Sequence, residues 1–121
     1  MVFFINSDKW ELKELGTNEL VKMYEEGMDE KAYYVFGLTQ KSKHIIYINK
    51  DMCYSQKIKT LKHELTHCYI WEYGLYNVED VNEEVICDLV ACSNDFINRI
   101  VGRYKEEIEK ERSNKDNEDN D

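Results

Sequence analysis

The sequence contains no proline at any of its 121 positions, so nothing in it forces a break in a long helix. It has no apolar run near the ~20 residues that cross a bilayer as a helix, and a membrane-spanning helix is not expected. Its first residues, Met1-Val2-Phe3-Phe4-Ile5-Asn6, lack the charged start and the length of a signal peptide, and the expected location is cytoplasmic. Basic residues are scarce: 16 Lys+Arg stand against 25 Asp+Glu, a formal net charge of -9. A nucleic-acid partner held through its phosphates is therefore not expected. Of four cysteines (Cys53, Cys68, Cys87 and Cys92) none forms a C-x-x-C pair. Three fall in helical segments, so the reading is reduced thiols packed as small apolar residues. Histidine is scarcer still, with three in the chain.

What is present is an ordinary globular balance, 42% apolar and 34% charged. The length suits one domain, residues 1–112, followed by an acidic tail, 113–121, with nothing to bury and expected to be disordered. Residues 2–5 form a β-branched and aromatic run that reads as a strand. A helix is expected over about 18–26, stopping at Gly27. Residues 33–38 and 44–48 read as two strands of a hairpin joined by the polar loop 39–43. Gly37 inside the first of these marks a bulge or a close backbone approach. A long helix should start near Ser55 and stop before Gly74, and another should start near Asn82 and run past Arg103. The expected fold class is α+β: a small twisted sheet or hairpin packed against two long helices. Charge is uneven, with six lysines and one acid from Leu38 to Lys62, and seven acids and no base from Glu72 to Asp95. An acidic second half suits a divalent cation, although solvated helix faces account for most of these charges equally well.

Residues 63–67 read His-Glu-Leu-Thr-His, an H-E-x-x-H motif inside the first long helix. Spacing of i and i+4 brings both imidazoles to one face, where each can offer a nitrogen to one tetrahedral zinc. Glu64 is displaced about 100° around the axis, close enough to act as a base without being a ligand. Ile58, Leu61, Leu65, Cys68 and Tyr69 form an apolar stripe on the side away from the histidines. Catalytic zinc normally has three protein ligands and one open position. Downstream, Glu84 and Asp88 stand at i and i+4. Glu84 is the expected third ligand, with Glu83 its nearest rival, and Asp88 the expected hydrogen-bond partner of a ligand histidine. His44 could join the site only from the hairpin. Trp71, Tyr69 and Tyr73 are expected in the core or the cleft wall, and Tyr76 is a candidate donor to an oxyanion.

His63-Glu64-Leu65-Thr66-His67 followed by Glu84-x-x-x-Asp88 resembles the gluzincin pattern of thermolysin-like enzymes. The small size, the hairpin before the motif and Glu84-x-x-Cys87-Asp88-x-Val90-Ala91 resemble more closely the ImmA/IrrE family of metallopeptidases. There the usual form is E-x-x-A-[ND]-x-F-A, so Cys87 and Val90 are departures. The resemblance covers residues 33–100, and an attached helix-turn-helix domain, which some members of that family carry, is not expected. It implies a zinc-dependent metallo-endopeptidase, often carried on phages and mobile elements, that cuts or inactivates a protein such as a helix-turn-helix repressor. The alternative is a non-catalytic interaction module, stapled by zinc, that sequesters its partner; a metal would help stabilise so small a core.

Overall fold

The computed structural model describes residues 1–74 and 83–119, the side chains of 83, 84, 87, 88 and 117–119 excepted. The chain opens with a tight hairpin. Strand β1 (Val2–Ile5) turns back through Asn6 and Ser7, both at positive φ (50° and 72°), into β2 (Asp8–Leu15). Two such residues make the turn whose twist matches that of paired strands. The sequence reading assigns no element to 8–15, yet β2 pairs with β1 on one side and β4 on the other. Helix α1 (Thr17–Met28) follows, then β3 (Gly37–Gln40), a short 3-10 turn (Lys41–Lys43), β4 (Ile45–Asn49), α2 (Tyr54–Glu72) and α3 (Glu83–Asp119).

The four strands form one sheet in the order β1-β2-β4-β3. β1 runs antiparallel to β2, β4 parallel to β2, and β3 antiparallel to β4. The expected hairpin is thus present, shifted to begin at Gly37 and to turn at 41–44. The coarse expectation of an α+β fold holds, with three helices about a small mixed sheet.

Helices cover both faces of β4, which is why its sequence, Ile-Ile-Tyr-Ile, does not alternate apolar with polar. Ile46 and Ile48 pack with Phe3, Trp10 and Leu12 against Ile58, Leu61, Leu65 and Cys68 of α2, and against Ile100, Val101 and Tyr104 of α3. Tyr47, on the other face, packs with Leu20 of α1 and Val35. α3 lies antiparallel to α2, Arg112 reaching over the Tyr54 ring and Phe96 meeting the Tyr69 ring.

Several boundaries differ from the sequence reading. α1 continues through Gly27 and ends where Asp29 takes the left-handed conformation (φ 54°), its N–H donating to Glu25 O. α2 begins after Cys53 rather than near Ser55. It ends at Glu72, and Gly74 (φ 69°) supplies the left-handed residue that follows. The expected cap at Asn82 lies outside the described residues. α3 runs past Arg103 as expected and continues to Asp119, into the segment 113–121 expected as a disordered tail, and its residues from Glu109 to Asp116 are exposed. Among the described residues Cys53, Cys68 and Cys92 are unpaired, and no helix is long and apolar enough to cross a membrane.

Candidate metal centre

α2 presents its residues in the two faces that the helical period requires. Leu61, Leu65 and Cys68 are fully buried against the sheet and α3. Burial pushes the Cys68 thiol well above its ordinary range, which makes it an inert packing residue. His63 and His67 stand on the other side, one exposed and the other half-buried. Their rings meet edge to face with centroids 4.9 Å apart, and their Nε2 atoms are 3.2 Å apart. Burial holds His67 below its ordinary pKa, with Glu64 opposing the shift and His63 and Lys41 adding to it. His63, Glu64 and His67 offer ligand atoms all within 4.8 Å of one another.

Glu64 is buried, only 6% exposed. A buried carboxylate needs a donor, and Thr39 supplies one: its Oγ1 donates to Glu64 Oε2 at 2.7 Å. β3 reaches α2 because of Gly37. A Cβ at that position would stand 2.7 Å from Thr60 Cγ2 and 3.1 Å from both Glu64 Cγ and Tyr47 O. The close approach expected at Gly37 is therefore real, and it lies directly over the glutamate of the motif. Thr39 is two residues further along β3, on the same face of the strand, and so falls on the same carboxylate. Sequence reasoning missed Thr39, because nothing local marks a threonine as the partner of a helix 25 residues away.

A cleft of about 420 Å³ opens beside this pair, lined by Tyr34, Phe36, Gly37, Thr60, His63 and Glu64 among others. Tyr34 and Phe36 meet edge to face at 4.9 Å and remain substantially exposed. β3 is also an edge of the sheet. The arrangement joins a candidate two-histidine metal site, a shielded carboxylate and an apolar cleft with a strand edge.

The side chains of Glu84 and Asp88 lie outside those described, as do the side chain of Glu83 and all of Tyr76. The backbone at 84 and 88 belongs to α3. His44 is not part of this cluster: its ring stacks on Trp10 at 4.4 Å and its neighbours are Asp8 and Glu72. Compared with known proteins, the chain matches no family model, no curated protein and no solved structure.

Proposed function

We propose that the chain is a zinc-dependent metallo-endopeptidase of the ImmA/IrrE kind, with His63, His67 and Glu84 holding the metal and Glu64 as the base. The observation that carries this reading is the pair of Nε2 atoms 3.2 Å apart beside a buried, hydrogen-bonded Glu64. Two nitrogens at about 2.0–2.1 Å from one tetrahedral zinc stand roughly 3.3–3.4 Å apart, so the donor pair fits that ion. Glu84 is assigned from its sequence spacing, and Asp88 as the group that orients a ligand imidazole. Bound zinc would polarise a peptide carbonyl and acidify water.

The chain's own groups then have distinct tasks. Glu64 takes a proton from the attacking water and passes it to the departing amine. Thr39 donates to Oε2, which keeps the carboxylate in place and leaves its other oxygen for proton exchange. Gly37 keeps β3 against α2, so the edge of that strand can align an extended peptide along the cleft. Tyr34 and Phe36 offer apolar surface to a substrate side chain. A substrate such as a DNA-binding repressor, and a home on a phage or mobile element, follow from the family resemblance.

The test is a proteomic comparison of cells expressing the wild type and the Glu64→Gln variant, with metal analysis of both purified proteins. The expected result is zinc in both and new protein fragments only with the wild type. A stable complex with a partner and no fragments would instead indicate a zinc-stapled interaction module. Zinc far below stoichiometry in both would remove the metal reading.

A further inference from the structure

At the far end of α2, away from the H-E-x-x-H motif, lies a cluster that the proposed reaction does not use. Asp8 is the first residue of β2, His44 links the 3-10 turn to β4, and Glu72 is the last residue of α2. Their ligand atoms all lie within 4.8 Å of one another. We propose that Asp8, His44 and Glu72 form a separate site for a first-row divalent cation such as Zn²⁺, which ties the β1–β2 hairpin, the β3–β4 turn and the end of α2 together. The inference stands whether or not the reading of His63 and His67 does.

The orientation of His44 points to a cation. Its Nδ1 lies 3.3 Å from the carbonyl oxygen of Lys9. A carbonyl only accepts, so Nδ1 carries the hydrogen, and in the neutral ring Nε2 presents its lone pair. That Nε2 is 3.7 Å from Glu72 Oε1. Such an arrangement, one imidazole nitrogen held by a backbone carbonyl and the other free to bind, is how ligand histidines are usually fixed. The ring is further held flat on Trp10, at 4.4 Å and 8° between planes. His44 takes the left-handed conformation (φ 58°) as the residue that closes the 3-10 turn, its N–H donating to Lys41 O.

Asp8 is exposed, but the Glu72 carboxylate is shielded and calls for a positive or donating partner. The Glu72 side chain is only 5% exposed, and its Oε1 accepts from Trp10 Nε1 at 2.8 Å. Among the described residues no lysine or arginine pairs with Asp8 or Glu72. The last turn of α2 carries no base, although the partial negative charge at a helix C-terminus favours one. Two carboxylates and one imidazole suit a borderline divalent ion and neutralise its charge. Tetrahedral ligands at about 2.0–2.1 Å stand roughly 3.4 Å apart; the 3.7 Å between His44 and Glu72 needs to close by a few tenths of an ångström, and exposed Asp8, within 4.8 Å of both, swings in to complete the set. Glu72 is five residues beyond His67 on one helix, about 7.5 Å along the axis, more than the roughly 3.4 Å between two ligands of one ion.

The competing occupant is a proton on His44 Nε2, which would make the cluster an ordinary ion pair. To separate the two, the full chain carrying His63→Ala and His67→Ala is stripped with chelator, dialysed against micromolar Zn²⁺ and assayed for bound metal by mass spectrometry. One equivalent is expected, falling to none when His44→Asn is added; asparagine tolerates the left-handed backbone. In the otherwise wild-type chain His44→Asn must lower the stoichiometry by one, whatever the other cluster holds. Zn²⁺ should also shift Trp10 emission saturably in a Trp71→Phe background, and Glu72→Gln should abolish that shift. Circular dichroism of each variant confirms the fold. No metal in the His63/His67 variant while it remains folded, or a stoichiometry unchanged by His44→Asn, overturns the site and leaves the proton as the bridge.

Discussion

The two ends of α2 place similar side chains in opposite circumstances. His63, Glu64 and His67 come from little more than one helical turn and open onto a cleft. Asp8, His44 and Glu72 come from three distant segments, His44 stacked on the indole of Trp10 and Glu72 accepting its N–H. The first cluster needs only that a helix form, because the period of 3.6 brings i and i+4 together. The second exists only after the hairpin, the 3-10 turn and α2 have docked. A cluster on one helix beside a cleft suits chemistry, and one assembled from three segments suits holding the fold together.

The largest expected effect separates those roles. Glu64→Gln should reduce cleavage of any substrate the wild type cuts by about 10²–10⁴-fold, the usual contribution of a general base, with zinc content unchanged. Cleavage that survives would erase the functional distinction between the ends. The next effect concerns what both ends share. Leu65→Ala removes a fully buried side chain behind the histidines and should cost about 2–5 kcal/mol in urea unfolding. A much smaller loss would mean that α2 is not anchored as the core implies. Smaller effects come from the contact between β3 and α2. Gly37→Ala would press a methyl into Thr60 and Glu64 and should cost about 1–3 kcal/mol. Thr39→Val leaves the Glu64 carboxylate without its hydroxyl donor. A similar about 1–3 kcal/mol is expected, with recovery in Thr39→Ser.

The smallest effect has opposite sign at the two ends in the zinc-free protein. Burial holds His67 below its ordinary 6.5, so the unfolded chain takes up that proton first. Stability should fall as the pH drops from 6.5 toward the folded value. Glu72 sits above its ordinary 4.5, so the folded form keeps a proton that the unfolded chain has lost. That contribution is full below 4.5 and is lost as the pH rises through the folded value. Urea midpoints measured between about pH 4 and 7 should show His67→Gln removing the first slope and Glu72→Gln the second. Identical profiles in all three proteins would break the comparison.

Much of the local structure was legible. β1, β4 and α2 follow from β-branched runs and from the stripe Ile58, Leu61, Leu65, Cys68, whereas the run 33–36, expected as strand, lies outside β3, which takes in Thr39 and Gln40 of the expected loop. β2 was missed although Trp10 and Leu12 are buried at the period of a strand. Its charged neighbours mask that alternation, and Asn6-Ser7 turns the chain with no glycine to announce it. The parallel pairing of β2 with β4 left no mark in either strand.

By itself the sequence determined which faces of α2 are apolar and that His63 and His67 share a side with Glu64 beside them, and it marked Gly37 as a bulge or a close approach. These are consequences of helical period and of a missing Cβ, which act over a few residues. Only the tertiary structure decided that Gly37 meets α2, that Thr39 donates to Glu64, and that His44 turns from the histidine pair toward Asp8 and Glu72. Those outcomes depend on strand order and on the docking of α2 on the sheet, where residues far apart in the chain meet with no periodic pattern to foretell it.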